Sequence, residues 1–152
     1  MSDTPIVMPR LSPHLVCDGA AAAIDFYRQA FGAEEVMRLA GPTGKLMHGS
    51  VIINGAMVLL VDEMPDYGVV GPNRLGGSPV TIHLIVPDVD AAVARAAEAG
   101  ATITMPVADQ FWGDRYGVVQ DPFGHKWSIS TPKADAPKTS EELQEAARAA
   151  FG

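Results

Sequence analysis

Apolar positions along this chain follow a strand and helix order that occurs twice. In the first half, loosely alternating residues 11–17 predict a strand. Apolar residues at three-and-four spacing then predict a helix, which Asp18 is placed to cap and which ends at Gly32. Asn54-Gly55 is a strong two-residue hairpin signal between the last two strands of this half. Those strands are predicted at 34–39, 46–53 and 57–62, so the first unit is β-α-β-β-β.

The second half repeats this order. Two histidines, at 14 and 83, and two glycines, at 55 and 124, share one offset (83 − 14 = 124 − 55 = 69), which indicates duplication. Gly100 ends the second helix, and a turn at 121–124 takes the place of the hairpin. This unit is predicted as a strand at 80–86, a helix at 89–99 and strands at 102–105, 116–120 and 126–131.

The segments outside the two units have patterns of their own. Residues 64–79 are rich in proline and glycine and are predicted as a linker or a loop over a site. Residues 139–151 begin with a capping sequence and predict an amphipathic helix that packs on the body or on a partner subunit. The chain is therefore predicted to be α+β, with module one at 11–63, module two at 80–131 and a C-terminal helix.

Composition narrows the class of protein. The 152 residues are 47% hydrophobic, enough for one domain core. The net charge of −7 has the wrong sign for a groove that follows a phosphate backbone, so no nucleic-acid partner is expected. The longest apolar run, 56–61, is too short for a membrane span, and no secretory segment is evident, so we expect a cytoplasmic protein with no membrane partner. The lone Cys17 agrees with a reducing compartment.

Two histidines are the sharpest candidates for chemistry. His14 and His83 occupy equivalent repeat positions, and strand alternation puts each on the sheet face opposite its helix. If the repeats pair about a pseudo-twofold axis, both side chains look into the same concave space. The alternative is that each is an ordinary hydrogen-bonded histidine. His48 and His125 are interpreted as ordinary surface or strand residues.

A second candidate is the segment 109–117. It brings Trp112, Arg115 and Tyr116 together around two glycines, a combination that can clamp a flat or anionic ligand by stacking and charged hydrogen bonds. In the alternative interpretation Trp112 plugs the end of a barrel and Arg115 pairs with Asp114 or Asp121. Ser128 shares a strand face with two further polar residues, which suggests a hydrated cavity.

Several sequence features together resemble a known family. These are the paired βαβββ units, Ile24-Asp25-Phe26-Tyr27 in the first helix, Asp88-Val89-Asp90-Ala91 opening the second, and the run from Asp121 to Trp127. They are similar to the vicinal oxygen chelate superfamily, which includes glyoxalase I, bleomycin resistance proteins and extradiol dioxygenases, and within it to a bacterial subgroup of mostly unassigned activity. The resemblance implies cupped mixed sheets around a cavity, commonly in a homodimer.

The resemblance also implies where a metal would lie. Metalloenzymes of this superfamily hold a divalent ion with His or Glu from the first and last strand of each unit. Those positions fall near Ser12, Leu59, Thr81 and Ser128, and none is a good ligand. No cofactor is therefore predicted. A divalent metal is possible in a rearranged site, where His14 and His83 would act with Glu63 or Asp62.

The leading hypothesis is a metal-independent small-molecule-binding protein that holds an aromatic or anionic ligand. Trp112, Tyr116 and Arg115 would lie at the rim, and His14, His83 and Ser128 would line the interior. The alternative is an enzyme: a divalent-metal-dependent lyase, isomerase or dioxygenase with the rearranged site, or one in which a histidine is the general base. A third hypothesis is an interaction domain that uses the C-terminal helix. No catalytic residue is assigned.

Overall fold

The computed structural model describes residues 10–152 as thirteen short elements. They are, in chain order, β1 (His14–Cys17), α1 (Ala20–Phe31), β2 (Glu34–Ala40), β3 (Leu46–Ile53), β4 (Ala56–Asp62), one 3-10 turn (Pro65–Tyr67), α2 (Pro72–Leu75), β5 (Thr81–Ile85), α3 (Val89–Ala99), β6 (Thr102–Asp109), β7 (Asp114–Gln120), β8 (Lys126–Pro132) and α4 (Ser140–Phe151).

The strands form two sheets with the same topology. The order is β1-β4-β3-β2 in sheet 1 and β5-β8-β7-β6 in sheet 2. In each sheet the first and last strands of the unit pair in parallel, and the remaining pairs are antiparallel. The predicted α+β class, with two β-α-β-β-β units and a C-terminal helix, is confirmed. The 3-10 turn and α2 were not predicted. Both begin with a proline, which suits a first helical position because that N–H has no helical partner.

Each sheet has one covered face and one open face. α1 and α3 cover the inner faces and pack against each other. The inner faces supply fully buried side chains such as Leu60 in sheet 1 and Trp127 and Ile129 in sheet 2. Alternation turns the residues between them, including His14 and His83, toward the open faces, where both are exposed. The sequence prediction of these two faces is confirmed.

The two modules are joined by a matching pair of contacts. The Asn54 side-chain amide donates to the carbonyl of Ile85 (2.8 Å), and His125 Nε2 donates to the carbonyl of Val16 (2.9 Å). Val16 and Ile85 occupy equivalent repeat positions, so the β3–β4 or β7–β8 turn region of each module reaches the first strand of the other. The modules therefore pack about a pseudo-twofold axis.

A buried carboxylate strengthens this joint from one side. Asp121 accepts hydrogen bonds from the Tyr27 hydroxyl of α1 and from Trp127 Nε1 (2.9 Å). Its other oxygen accepts the backbone N–H groups of Phe123 (2.9 Å) and His125 (3.0 Å), which closes the turn before β8. Burial and the Asp121 carboxylate raise the pKa of Tyr27 well above its usual value, so the phenol remains a donor.

The first helix is capped from a distance, not by the residue that the sequence suggested. The prediction that Asp18 caps α1 is wrong: the N-cap is Gly19, with φ of 99°, and the N–H groups of Gly19 and Ala20 donate to Asp62 Oδ1 at 3.0 Å. A residue at the end of β4 reaches this helix because the β1–β4 pairing brings the two termini together. In module two, Thr131 Oγ1 accepts the N–H of Val89 from the equivalent position.

The C-terminal helix is capped as predicted. Thr139 Oγ1 accepts the N–H of Glu142, whose carboxylate accepts the N–H of Lys138. No residue of α4 is buried. None of the helices within residues 10–152 is long and apolar enough to cross a bilayer.

Candidate functional site

His83 is held on the open face of sheet 2 by two serines of the neighbouring strand. The parallel register pairs His83 with Ser128, and the His83 Nδ1 to Ser128 Oγ distance is 2.7 Å. Ser130 Oγ lies 3.2 Å from the other ring nitrogen. Both serines are buried, whereas the imidazole is exposed. Since hydroxyls can donate or accept, either neutral tautomer is satisfied, and the ring plane is fixed.

A line of aromatic rings extends from this histidine. The His83 and Tyr116 rings are nearly parallel with centroids 6.1 Å apart, and Tyr116 meets Trp112 edge-on at 5.4 Å. Phe111 continues the line from Trp112 at 5.2 Å and contacts Phe151 of α4 at 5.0 Å. We call these five side chains the aromatic wall. His83 and Ser128 thus lie together with Trp112 and Tyr116, the grouping that the sequence suggested for this half of the site.

The loop that carries Trp112 is fixed by the segment before α4. The Gly113 carbonyl accepts the N–H of Lys133 (2.9 Å), and Gly113 has φ of 99°. A Cβ at this glycine would lie 2.5 Å from the Cα of Ala136, so only glycine allows the two backbones to pack so closely. The segment that packs here leads into α4, whose Phe151 lies beside Phe111. The sequence did not predict α4 or Phe151 as part of the site.

The open face of sheet 1 holds the second histidine. His14 pairs with Leu59 in the β1–β4 register, and the His48 ring lies edge-on to it with centroids 6.2 Å apart. From the sequence, His48 is predicted to be an ordinary surface or strand residue. Strand alternation from Ser50, which is opposite Leu59, puts His48 on this face and was the available signal.

Of the two histidines, His14 alone borders the cleft between the two modules' first strands. A cleft of about 550 Å³ runs between the starts of β1 and β5 and is bordered by Ser12, His14 and Thr81. His83 lies further along β5, on the same face as Thr81, and does not border this cleft. The structure therefore separates a sheet 1 group around His14 from a sheet 2 group around His83.

Arg115 lies on the other face of sheet 2 from the aromatic wall. Its guanidinium binds both carboxylate oxygens of Asp90 on α3 (2.7 and 3.0 Å) and one of Asp109 (3.1 Å). The cause is alternation, because Arg115 and Tyr116 are consecutive residues of β7. The structure thus does not bring Arg115 together with Trp112 and Tyr116, and its partners are not Asp114 or Asp121, as the alternative interpretation expected.

These ion pairs shift the ionisation of all three groups. Hydrogen bonds from Arg115 lower the pKa values of Asp90 and Asp109, and Lys133 adds to the effect at Asp109. The two carboxylates in turn raise the pKa of Arg115. The pairs are exposed, so their main effect is to fix β7 against α3.

The donor set for a rearranged metal site is not assembled. Asp62 is engaged at the start of α1, and its Oδ2 accepts the N–H of Leu46 (2.7 Å). Glu63 accepts the N–H of Gly71 (2.7 Å) and pairs with Arg74, and these contacts lower its pKa. Within residues 10–152, no three His, Cys, Asp or Glu side chains are grouped as metal ligands. Neither carboxylate therefore lies with His14 and His83 as the rearranged site, which the sequence left possible, would require.

The strand register also changes the positions at which the superfamily's metal would be held. Ligands to one ion from the first and last strand of a unit must be neighbours across that pair. His14, not Ser12, is opposite Leu59, and His83, not Thr81, is opposite Ser128. The four positions then supply two imidazoles, a leucine and a serine, which does not fit the three or more strong ligands of a zinc or iron site.

Residues 9–129 match the family model of the Glyoxalase/Bleomycin resistance protein/Dioxygenase superfamily. The chain belongs to this superfamily. An uncharacterized protein of Mycobacterium bovis is 53% identical over 143 residues, which cover 92% of this chain and 93% of that one. The resemblance drawn from the sequence motifs is confirmed.

Solved structures show the same architecture. The X-ray structure of a gene product from Arabidopsis thaliana is 28% identical, with a TM-score of 0.66 over 82% of this chain and 99% of that one. The fosfomycin resistance protein FosX from Listeria monocytogenes, solved with Mn(II) and sulfate, has a TM-score of 0.64 over 92% and 98% of the two chains, at 15% identity. The latter likeness shows the fold alone.

Arg115→Gln tests whether this residue is structural. Because the pKa values of Asp90 and Asp109 are lowered in the folded chain, their stabilisation is present above the usual Asp value of about 3.9. It is lost as the pH falls through the lowered values. We expect R115Q to lower the thermal midpoint at neutral pH and to match the wild type in acid. Thermal denaturation across this pH range measures both.

The matched control is Arg28→Gln, since Arg28 makes no ion pair within the part of the chain that the structure describes. Equal midpoints for R115Q and the wild type at neutral pH would contradict a structural role.

Proposed function

We propose that this chain is a small-molecule-binding protein that holds a flat aromatic ligand against the open face of sheet 2, without the usual metal site of its superfamily. The observation that carries the proposal is the aromatic wall, a line of rings that begins at the hydrogen-bonded imidazole of His83. The proposal continues the binding hypothesis from the sequence. The cytoplasmic location belongs to it and rests on the sequence alone.

Stacking favours an aromatic ligand over an aliphatic one. The His83 and Tyr116 rings are nearly parallel, so their faces form one stacking surface. Trp112 meets Tyr116 edge-on and bounds this surface at one end. Offset or edge contacts with such rings add to the burial of apolar area. A planar ligand bound here would stack on His83 and Tyr116 and also contact the Trp112 ring.

Polar groups at the base of the wall favour a ligand with a hydroxyl or carbonyl group. Ser128 and Ser130 hold both nitrogens of His83, so a ligand oxygen can exchange with one serine without leaving a ring nitrogen unpaired. An anionic group has weaker support, because Arg115 is engaged with Asp90 and Asp109 on the opposite face. On sheet 1, His14 and His48 form a separate polar patch that this proposal does not use.

A homodimer completes the proposal. Several apolar side chains on the two open faces are exposed: Met37 (39%), Leu39 (50%), Ile85 (56%) and Met105 (38%). Their register partners, such as Ser50 and Val118, put them on the same faces as the two histidines. Burial of these side chains under a second copy would remove apolar surface from water and enclose the ligand.

The binding proposal is tested with 2-naphthol and equilibrium dialysis, read by naphthol absorbance. We expect saturable binding that decahydro-2-naphthol, the saturated analogue, does not displace. Trp112→Ala and His83→Ala should each weaken binding about tenfold, the effect of one lost ring contact or hydrogen bond. Arg115→Gln is the matched control, since that side chain lies on the other face.

Binding that survives both substitutions unchanged would contradict this site, as would equal displacement by the saturated analogue. Circular dichroism of each variant checks that a loss of binding is not a loss of fold.

The homodimer is tested by sedimentation equilibrium. We expect a mass twice the 16.0 kDa of one chain. Ile85→Lys should shift the mass toward one chain, because it puts a charge on the part of the open face that the second copy would bury. Leu75→Lys, a change at a residue of α2 that is 69% exposed, should leave the dimer unchanged. A wild-type mass of one chain at all concentrations would overturn this part of the proposal.

A divalent-metal-dependent lyase, isomerase or dioxygenase is the second candidate. One observation favours it: the register puts two imidazoles, His14 and His83, at the first-strand positions opposite Leu59 and Ser128. The two remaining positions are not metal ligands, so this candidate requires donors from elsewhere.

Elemental analysis separates the two candidates. The untagged protein is exposed to Mn, Fe, Co, Ni and Zn and then desalted. We expect far less than one equivalent of any metal, because two imidazoles alone make a weak site. Near-stoichiometric metal that disappears in the His14→Ala, His83→Ala double variant would instead establish the enzyme candidate.

A further inference from the structure

A small cavity lies between the two modules, on the side away from the open sheet faces. It measures about 160 Å³ and lies where α1 and α3 meet beside the first strand of module two. The walls are mostly apolar and come from both modules: Ala30, Phe31 and Ile53 from module one, and Leu84, Val86, Ala92 and Ile129 from module two. An apolar cavity of about 150 Å³ is large enough for a benzene ring.

Pseudo-symmetry shows that this cavity is specific to one half of the molecule. Asn54 borders it, and the equivalent residue of module two is Phe123, since both lie at the turn with the repeat offset of 69. The Phe123 ring fills its side of the joint, with centroids 6.2 Å from Phe26 and 6.4 Å from Tyr27. Asn54 is exposed and fills nothing comparable. Equivalent positions of the two repeats therefore form a packed aromatic cluster around Phe123 and a cavity beside Asn54.

The second difference between the halves is a charge. The repeat position equivalent to Phe26 is Arg95, and its side chain borders the cavity. Arg95 Nε donates to the carbonyl of Gln29 (2.6 Å), and Nη2 is 3.4 Å from the carbonyl of Arg28. These bonds fix the guanidinium over the end of α1 beside Gly32, where an added Cβ would lie at ordinary contact distance, 3.5 Å, from Nη1.

The guanidinium has capacity left for an anion. Within residues 10–152, no carboxylate lies within ion-pair distance of Arg95, and its Nη1 has no hydrogen-bond acceptor. The Asn54 amide adds a second polar group at the border, although its nitrogen is engaged with Ile85. The cavity thus combines an apolar chamber of one-ring size with an exposed, fixed cation beside it.

We infer that this cavity binds a small carboxylate with a compact apolar body, of the size of benzoate. The ring would fill the chamber between Phe31, Leu84 and Ile129, and the carboxylate would pair with Arg95 at the mouth. The inference is independent of the binding proposed for sheet 2, because the two sites lie on opposite faces of the sheets and share no residue.

Methyl-detected NMR of the full ¹³C-labelled chain tests the inference, with sodium benzoate as the probe. We expect saturable shifts of the methyl signals of Ile53, Leu84, Val86 and Ile129. Benzamide, which has the same shape without the charge, should bind about fivefold to tenfold more weakly, the effect of one charged hydrogen bond at a partly exposed site. Acetate, which has the charge without the ring, should give no saturable shift.

Two variants locate the binding. Ala92→Leu adds volume to the cavity wall and should abolish the benzoate shifts. Arg95→Gln should remove the preference for benzoate over benzamide while shifts by both remain. Leu75→Lys, at an exposed residue of α2 that belongs to neither site, should leave the benzoate affinity unchanged. Binding of 2-naphthol reports on sheet 2 separately, so a failure of that site is distinguishable from a failure of this one.

Three results would overturn the inference: no saturable shift at the four methyl groups, equal affinity for benzoate and benzamide in the wild type, or unchanged binding in Ala92→Leu. Should Ala92→Leu fail to fold, the comparison between Arg95→Gln and the wild type decides alone.

Discussion

The buried carboxylate of Asp121 is the constraint on which the arrangement of the two modules depends. It accepts the Tyr27 hydroxyl from module one and three N–H groups from module two, so no lone pair is left unpaired in a dry environment. By closing the turn, it also sets His125, which donates to the carbonyl of Val16 on β1. The start of β8 and the middle of β1 are therefore fixed relative to each other.

The direction of both open faces follows from this joint. β8 carries Ser128 and Ser130, which hold His83, and β1 carries His14 two residues before Val16. Loss of the Asp121 acceptor would strand the Trp127 and Tyr27 donors in the core, at a cost of the order of 1–3 kcal/mol for each group. The repeat position equivalent to Asp121 is Ile52, so a buried carboxylate strengthens the joint from one side only.

Much of the fold could be predicted from the sequence, because period and turn chemistry act locally. The Asn54-Gly55 hairpin, the helix ends and the repeat offset each depend on a few neighbouring residues, and all three correspond to features of the structure. Asp18 was mistaken for the cap because the true acceptor, Asp62, is distant in sequence and arrives only when β1 pairs with β4. The ion-pair partners of Arg115 were not predicted for the same reason, because Asp90 is on a helix that packs against β7 only in the folded chain.

The candidate site was predictable by face but not by contact. Alternation correctly turned His14 and His83 away from their helices, and it also contained the information that Arg115 and Tyr116 diverge. Arg115 was predicted beside Trp112 because the two residues are close in sequence, but alternation along β7 turns its side chain to the opposite face. The contribution of α4 could not be predicted from the sequence. The contact between Phe151 and Phe111 depends on tertiary packing, in which the Gly113 backbone lies close to Ala136.

Duplication explains why one fold can carry such different groups at equivalent places. Equivalent backbone positions carry side chains with the same role in some places and different roles in others. Asp62 and Thr131 both accept a hydrogen bond from the start of a helix. Asn54, in contrast, borders a cavity, whereas the Phe123 ring packs in the equivalent space. At the open faces, Leu59 and Ser128 are equivalent, and only the serine can fix an imidazole. Because His83 already has both nitrogens paired, proton abstraction or metal binding there requires that a serine be displaced first. Stacking of an aromatic ring on the wall can leave both of these hydrogen bonds in place, which supports the proposed binding of an aromatic ligand at this face.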